Sequence, residues 1–314
     1  MPIYTSVEKP AALNRVTGLN AENGEPPQRG EVCILLKRTA AGDRQAFELV
    51  YRQTAPVFFA LALRITRNRN DAEEALQEAY FRVWKSASRF DPDKGNGLAW
   101  ISTIIKNAAL SLRHRRQRRQ IGAQAYENEL ALIPGVGTTS DTFSVSSLSQ
   151  ARKLLDLCLR ELDETKKTAI MLAYFEGLTH AELADRMQVP LGTAKSHIRR
   201  GLELIGRRLA ADGLVSVNEL IAGENELGVL PPVVSRGFEK RRAEDAKYCV
   251  AADRWRELFS GLLSYLTPEH PPAKIWKSLN RAVSQAETIV RKLELREKEH
   301  LLHTATASKQ VVAE

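Results

Sequence analysis

The chain has 314 residues, enough for two or three compact domains, and its formal charge of +8 points toward a polyanionic partner, although such an excess is common in soluble proteins. Its three cysteines are scattered and lie near no histidine cluster, so the sequence suggests neither a disulfide framework nor a zinc site and fits a reducing compartment. No stretch has the apolar length of a signal peptide or a membrane span, so we expect a cytoplasmic protein without membrane insertion. We also expect no metal and no cofactor.

Helical periodicity dominates the chain and predicts an all-α fold. Gly, Pro, Ser and Thr are concentrated in the stretches that separate or flank the periodic ones, as expected for linkers and chain ends. The predicted segments, in chain order, are a disordered leader (1–30), a first helical module (31–119), a linker (120–148), a second helical module (149–211), a third helical segment (217–302) and a disordered tail (303–314).

In the first module, the sequence NDAEEALQEAYFRVW predicts a helix with two different faces. The apolar face, expected to pack inside the module, comprises Ala72, Ala75, Leu76, Ala79, Tyr80 and Val83. The other face carries Glu74, Gln77, Phe81 and Trp84. Large aromatics beside carboxylates are typical of a protein-docking patch, in which aromatics anchor and charges set the register. Packing of Phe81 and Trp84 on a neighbouring helix explains the same pattern equally well.

The next helix, GLAWISTIIKNAALSLRHRRQRR, runs into a dense basic stretch from Arg113 to Arg119. Its predicted buried stripe is Leu98, Ile101, Ile105, Ala108 and Leu112, and its other side carries Trp100, Thr103, Lys106 and Asn107. Aromatic, amide and basic groups on one exposed surface suit an unpaired nucleic-acid strand, because bases stack or enter pockets while cations hold the backbone. A solvated helix end is the alternative interpretation of the charge run.

The second module contains the helix-turn-helix pattern LTHAELADRMQVPLGTAKSHIRRGLELI. Thr179 and Glu182 have capping-box spacing and start a short helix, and Pro190 suits the start of the next one. In that next helix the predicted buried stripe is Ala194, Ile198, Leu202 and Ile205, and the opposite face carries Thr193, Lys195, Ser196, Arg199 and Arg200. Such a face reads base edges and clamps phosphates in a major groove. An ordinary hairpin with a basic solvated face is the alternative.

The third segment predicts two further helices separated by a proline-rich hinge. The first has apolar residues at Trp255, Leu258, Phe259, Leu262, Leu263 and Leu266, as in an amphipathic helix. The prolines of the hinge are Pro268, Pro271 and Pro272. Beyond it, Val283, Ala286, Val290 and Leu293 form a seam that requires a partner helix. The plain interpretation is a small bundle that adds stability.

In this order the first two modules resemble the sigma-70 family of bacterial RNA polymerase sigma factors, specifically the small extracytoplasmic-function type. The resemblance is carried by DAEEALQEAYFRVW, by RFDPDKGNGLAWISTIIKN and by the helix-turn-helix, and it covers about residues 46–209. It implies a subunit without catalytic activity that directs transcription initiation at promoters. The implied partners are core RNA polymerase, through its β′ clamp helices and β flap, and promoter DNA in double-stranded and melted form.

The resemblance implies a role for three sets of residues. Docking on core polymerase is implied for Asp71, Glu74, Gln77, Glu78, Phe81 and Trp84. Recognition and melting of the minus-ten element are implied for Arg89, Asp91, Lys94, Trp100, Lys106, Asn107, Arg113, Arg115 and Arg116. Recognition of the minus-thirty-five element is implied for Thr193, Lys195, Ser196, His197, Arg199 and Arg200. The linker would thread toward the active-site channel of the polymerase.

The third segment resembles the cytoplasmic domain of zinc-free anti-sigma factors of the anti-sigma-K type, over about residues 219–279. The resemblance is carried by LGVLPP at 227–232, by the helix around Trp255 and by PPAKIW at 271–276. It implies an inhibitor-like domain fused to a sigma factor, in addition to any separate anti-sigma factor. The residues expected to contact the sigma modules of the same chain are Trp255, Phe259, Leu262 and Trp276.

We therefore expect a sigma factor modulated by its third segment, and not an enzyme, since the sequence shows no phosphate-binding loop, nucleophile-base pair or carboxylate dyad. The alternative is a free-standing helix-turn-helix regulator whose third segment dimerises or binds another protein. The helix that carries Phe81 and Trp84 discriminates between the two, because such a regulator needs no polymerase-docking face.

Overall fold

The fold is all-α, as the sequence predicts. A computed structural model of the chain describes residues 29–91, 95–121, 148–209 and 216–289 and the single positions 292 and 296, and every regular element there is helical. The predicted leader, linker and tail lie wholly or largely outside these described residues. No helix in the same ranges combines the length and the apolar character that crossing a membrane requires.

Twelve α-helices and two 3-10 turns make up the described ranges. In chain order they are α1 (Arg29–Ala40), α2 (Arg44–Thr66), α3 (Arg69–Ser86), a 3-10 turn (Ala87–Arg89), α4 (Gly97–Ile121), α5 (Leu148–Arg160), α6 (Glu164–Glu176), α7 (His180–Met187), α8 (Leu191–Leu209), α9 (Val217–Leu227), α10 (Pro232–Glu244), α11 (Ala246–Ser260), a second 3-10 turn (Gly261–Tyr265) and α12 (273–289).

Local sequence signals set the helix ends. The carboxylate of Asp43 accepts hydrogen bonds from two backbone N–H groups in the first turn of α2. At the start of α7, Thr179 and Glu182 form the predicted capping box: each backbone N–H donates to the side-chain oxygen of the other residue. Helix α6 ends at Gly177, whose φ of 59° is in the left-handed region that favours glycine.

Helices α1 to α4 form the first module around one apolar core. The predicted buried residues of α3 and α4 are confirmed as buried: Ala72, Ala75, Leu76, Ala79, Tyr80, Val83, Leu98, Ile101, Ile105, Ala108 and Leu112. Phe47 and Phe58 of α2 pack into the same core. The buried hydroxyls of Thr54 and Tyr80 share a hydrogen bond of 2.6 Å, which satisfies two polar groups that burial would otherwise penalise.

Helices α5 to α8 form the second module, in which α7 and α8 are the predicted helix-turn-helix. The stripe of Ala194, Ile198, Leu202 and Ile205 is buried, as predicted, against α6 and α7. Between the two helices the chain turns at Gln188, which has a φ of 54°. The polar face of α8 is therefore directed away from the core of its own module.

Helices α9 to α11 lie between the two modules. Helix α11 packs on α4 of the first module, on α5 of the second and on α9. Trp255 is fully buried and meets α9 at Gly223, where a Cβ would lie 3.1 Å from both Trp255 and Leu202 of α8. Phe259 contacts Tyr174 of α6, with 6.0 Å between the ring centroids. The missing side chain at Gly223 thus allows α9 to fit closely between α8 and α11.

The apolar face that follows Trp255 is buried throughout, but it does not belong to one continuous α-helix. The α-helix ends at Ser260, and the chain tightens into the 3-10 turn Gly261–Tyr265, which packs on α5. There the hydroxyl of Tyr265 donates to the carboxylate of Asp156. The sequence could not indicate this change, because apolar residues three apart share a face in α- and 3-10 helices alike.

After residues 267–272 the chain returns to the first module as α12. The backbone N–H of Glu269 donates to the carbonyl of Pro56 in α2, at 3.0 Å. Trp276 lies against Tyr51 and Phe47 of the same helix, with centroid distances of 4.9 and 5.9 Å. The third segment therefore begins on the second module and ends on the first.

Candidate functional site

Helix α8, the predicted recognition helix, presents donors along one face. Of the residues predicted there, Lys195, Arg199 and Arg200 are exposed, and Thr193, Ser196 and His197 are half-buried. Hydroxyl, imidazole and cationic groups in one row on one helix can contact base edges and phosphates in a major groove. Helix α8 therefore has the chemistry that its predicted role requires.

Helix α9 brings a carboxylate to the side of this helix. Burial raises the pKa of Glu224, and the neighbouring charges of Arg199 and Lys195 partly offset that rise. The sequence does not mark Glu224 as part of this surface, because nothing in a short acidic helix indicates which surface it will face. Two of the cations predicted to hold phosphates are thus attracted by a carboxylate of the same chain.

The acidic and aromatic face of α3 is only partly open. Glu74 is exposed, and Asp71, Gln77, Glu78, Phe81 and Trp84 are half-buried. Trp84 packs edge-on against Phe47, with 5.2 Å between the ring centroids. Trp84 therefore packs at least partly on a neighbouring helix, which is the alternative noted from the sequence. Phe81, in contrast, borders an open groove.

That groove has a volume of about 650 Å³ and separates α3 from α12. Its lining residues are Asn70, Glu73, Glu74, Gln77, Glu78 and Phe81 of α3 and Lys274, Ile275, Ser278 and Ala282 of α12. The ammonium group of Lys274 lies 2.5 Å from the carboxylate of Glu73 and joins the two walls. Helix α12 therefore stands beside the residues predicted to dock core polymerase.

Two arginines at the end of α4, predicted to hold melted DNA, pair with the same acidic face. Arg115 lies 3.5 Å from Glu74, and Arg116 lies 3.1 Å from Asp71. Residues assigned to different surfaces thus form one charged patch. Exposed ion pairs of this kind contribute about 0–1 kcal/mol each, so a charged partner could replace them at little cost.

The predicted minus-ten surface on α4 is covered by the third segment. Trp100 is only 4% exposed and Lys106 only 6%, although the sequence predicted that both face outward. Of the other predicted residues, Arg89 is exposed, Asp91 and Asn107 are half-buried, and Lys94 lies outside the described residues. The expectation of an open surface was wrong because periodicity within one helix cannot show that a distant segment returns to cover it.

Trp100 lines a small cavity together with Phe90, whose ring centroid is 5.3 Å away. Helix α11 closes the cavity with charged residues. Among them, Arg256 donates to Asp253 at 2.6 Å and to Glu226 of α9 at 3.1 Å. The amphipathic pattern of α11 did not predict this cluster, and the available signal was the charged pair Arg256 and Glu257 between the apolar positions Trp255 and Leu258.

Lys106 is buried where the first module, the second module and the third segment meet; helices α9 to α12 of that segment are called the extension below. Its ammonium group donates to the backbone carbonyl of Glu226 and lies 4.9 Å from the ring centroid of Tyr174 in α6. Burial lowers its pKa from 10.5 to about 8, and the charge of Glu226 opposes that shift. A cation predicted to contact DNA is therefore engaged by other parts of the chain.

Arg113 joins the two modules directly. Its guanidinium donates to the backbone carbonyls of Glu176 and Gly177, at 2.6 Å each, and pairs with the carboxylate of Glu182. A Cβ at Gly177 would overlap Leu110 of α4, so glycine permits this close approach. Arg113 was predicted to bind DNA, but here it binds the turn that leads into the helix-turn-helix.

The contacts expected between the third segment and the sigma modules are found on both modules. Leu262 is buried in the 3-10 turn against α5, and Phe259 lies on α6. Trp276 lies on α2, whereas Trp255 packs against Gly223 of α9, within the third segment itself. The extension thus contacts helices of the first module and of the second.

Comparison with known proteins concerns the first two modules. A family model described as Sigma-70 region 2 matches residues 50–120, and one described as Sigma-70, region 4 matches residues 152–205. A protein named ECF RNA polymerase sigma factor SigK from Mycobacterium ulcerans is 34% identical over 181 residues, covering 57% of this chain and 94% of that protein. The protein of the same name from Mycobacterium tuberculosis is 32% identical over 183 residues, with the same two coverages.

Among solved structures, the chain is similar to one described as the structure of CnrH in complex with the cytosolic domain of CnrY. The sequence identity is 19%, the matched part is 58% of this chain and 99% of that chain, and the TM-score is 0.28.

A helical region 2 followed by a helix-turn-helix region 4 defines a transcription initiation factor of the sigma type. The chain belongs to the ECF sigma factors of the sigma-70 family, and it is an RNA polymerase sigma factor that acts with core polymerase and promoter DNA. A free-standing regulator is not favoured, because the first module matches region 2. Both family matches end before α9, so α9 to α12 lie beyond them.

The contact of Arg113 predicts a change in stability. We expect Arg113→Met to lower the free energy of unfolding by about 2–4 kcal/mol, because Glu182 and two carbonyls lose a buried donor. Arg116→Met is the matched control, because its ion pair with Asp71 is exposed and should cost less than about 1 kcal/mol. Urea unfolding of the full chain measures both losses. Equal losses would contradict a special role for Arg113.

The depressed pKa of Lys106 predicts a pH dependence. Between pH 8 and 10.5 the unfolded chain binds more protons at this residue than the folded chain, so stability rises with pH across that window. The gain is up to about 3 kcal/mol. Relative to Lys106→Met, the wild type should therefore gain stability in urea unfolding as the pH is raised from 7 to 10. A difference that does not vary with pH would contradict the burial of a charged Lys106.

Proposed function

We propose that this sigma factor is held in a closed, inactive form by its own helices α9 to α12. The observation that carries the proposal is the burial of Trp100 and Lys106 beneath the extension. A side chain that is covered by protein cannot also contact DNA, so promoter DNA and the extension compete for α4. Sigma factors are non-catalytic initiation factors, and we expect no catalytic activity from this chain.

In the open form, each surface has the role that the family implies for it. Helix α3 docks on the β′ clamp helices, α4 and the preceding loop melt and read the minus-ten element, and α8 reads the minus-thirty-five element. The second module also meets the β flap. Support comes from the chemistry of the surfaces: α3 combines carboxylates with Phe81, and α8 carries donors in a row.

The spacing of the two DNA elements supports the need for opening. The minus-ten and minus-thirty-five elements lie about 25 base pairs apart, which is about 85 Å at about 3.4 Å per base pair. On α4, Trp100 lies about 20 Å from Arg113 along the helix axis. Arg113 in turn contacts Glu182 in α7, the helix that precedes α8. The two modules must therefore separate before both elements can be read at once.

Helix α12 supplies a second barrier, on the face that we assign to core polymerase. Arg44 of α2 donates to the side chains of Asn280 and Ser284, at 2.8 and 2.6 Å. Together with Trp276 and Lys274, these contacts hold α12 along α2 and α3. A polymerase helix that approached α3 would meet α12 there, so we propose that core binding displaces α12.

The extension then acts as an anti-sigma domain carried in the same chain. Tethering presents such a domain at an effective concentration on the order of millimolar. A contact with an intrinsic dissociation constant near 10 micromolar would therefore keep about 99% of the molecules closed. The individual contacts need not be strong, and partners that bind the open form can reverse them.

Removal of the extension should activate the protein. A chain that ends at Ala211 retains the two modules that make up almost the whole length of the relatives. We expect it to support at least about tenfold more transcription with core polymerase than the full chain does. The template is a promoter selected from random-sequence DNA by the truncated chain bound to core polymerase. Equal activity of the two chains across a range of salt concentrations would contradict autoinhibition.

The docking face should matter for core binding in the truncated chain. We expect Glu74→Ala combined with Phe81→Ala to weaken binding to core polymerase by about 10- to 100-fold, because an aromatic anchor and a register-setting charge are lost. Ile34→Ala is the control, since Ile34 is an exposed apolar residue on α1 of the same module. Binding is measured by titration of labelled protein with core polymerase. An unchanged affinity would count against this assignment of α3.

A further inference from the structure

We propose that α9 is an acidic strap that takes the place of DNA phosphates on both DNA-reading helices, α4 and α8. The inference rests on the closed form proposed above and identifies the part of the extension that competes with nucleic acid. The helix has the sequence VNELIAGENEL, with three carboxylates and no basic residue. It runs between α8 and α4, whose exposed surfaces are otherwise rich in cations.

The C-terminal end of α9 meets α4. The ammonium group of Lys106 donates to the backbone carbonyl of Glu226, in the last turn of α9. Carbonyls in a last helical turn lack partners within the helix and carry the negative end of its dipole. The end of α9 therefore offers Lys106 the same kind of acceptor that a phosphate oxygen would provide.

The middle of α9 meets α8. Because Gly223 has no side chain, the backbone of α9 approaches Leu202 of α8 closely. The next residue, Glu224, is half-buried at this junction. Burial raises its pKa, and the charges of Arg199 and Lys195 of α8 partly offset that rise, while Arg199 also pairs with Glu203 of its own helix at 3.5 Å. Because α9 packs on α8, the charge of Glu224 acts on two cations that we assign to the phosphates of the minus-thirty-five element.

The other two carboxylates of α9 serve the extension itself. Glu219 pairs with Arg254 at 2.6 Å, and Glu226 pairs with Arg256 at 3.1 Å. Both partners belong to α11, so these pairs fix α9 on the extension. Glu224 is left to act toward α8. Neutralising Glu224 therefore removes the interaction of α9 with α8 and leaves the ion pairs that hold α9 on α11 intact.

The test compares two variants of the full chain that lose the same charge. Glu224→Gln neutralises the carboxylate beside the recognition helix. Glu244→Gln is the matched control, because Glu244 lies exposed in the last turn of α10, in the same extension. The probe is a fluorescently labelled 30-base-pair duplex of random sequence, and binding is followed by anisotropy between 50 and 300 mM NaCl.

We expect Glu224→Gln to bind the duplex about fivefold more tightly than Glu244→Gln at the lowest salt concentration. The difference should shrink as salt rises, because salt screens the contact of α9 with the cations of α8 and also weakens DNA binding in both variants. Equal affinities of the two variants at low salt would overturn the strap.

The strap and the closed form can fail separately. If truncation at Ala211 activates transcription but Glu224→Gln binds DNA no better than Glu244→Gln, then the extension inhibits without using α9 as a strap. If truncation has no effect on transcription, then the closed form itself is wrong, and the strap proposal falls with it.

Discussion

The arrangement of this protein depends on the burial of α11 between the two sigma modules. Trp255 and Phe259 are buried there, among α4, α5, α6 and α9. Each large aromatic removes on the order of 150–250 Å² from water, which is worth several kcal/mol at about 25 cal/mol per Å². Because the surfaces that α11 covers belong to both modules, this apolar contact also fixes the position of one module relative to the other.

Around that apolar contact, the chain uses internally the cations that the sequence predicts to contact DNA. Lys106 binds the end of α9, Arg113 binds the turn before α7, and Arg115 and Arg116 pair with the acidic face of α3. The exposed pairs are weak, and the buried contacts bear the cost of desolvating a cation. In the closed form that we propose, apolar burial therefore supplies much of the free energy of closing, and the polar contacts select which surfaces are covered.

The extension reaches the first module at two places, and this affects how it can be released. Helices α9 and α11 cover α4, whereas α12 lies along α2 and α3. A partner that displaces one of these contacts makes the other less favourable, because the tether then presents the remaining part at a lower effective concentration. If core polymerase docks on α3 and DNA on α4, as we propose, each assists the other through the extension, without any direct contact between them.

Sequence alone determined the all-α fold class, the buried stripes of α3, α4 and α8, the capping box at Thr179 and the membership of a sigma family. These properties depend on residues within a few turns of one another, so local periodicity and motif spacing reveal them. Tertiary structure decided which faces remain open. Lys106 and Glu226 are 120 positions apart, and Arg44 and Asn280 are 236 apart. Whether a polar helix face meets solvent or a returning segment depends on such distant contacts, and no local sequence pattern predicts them.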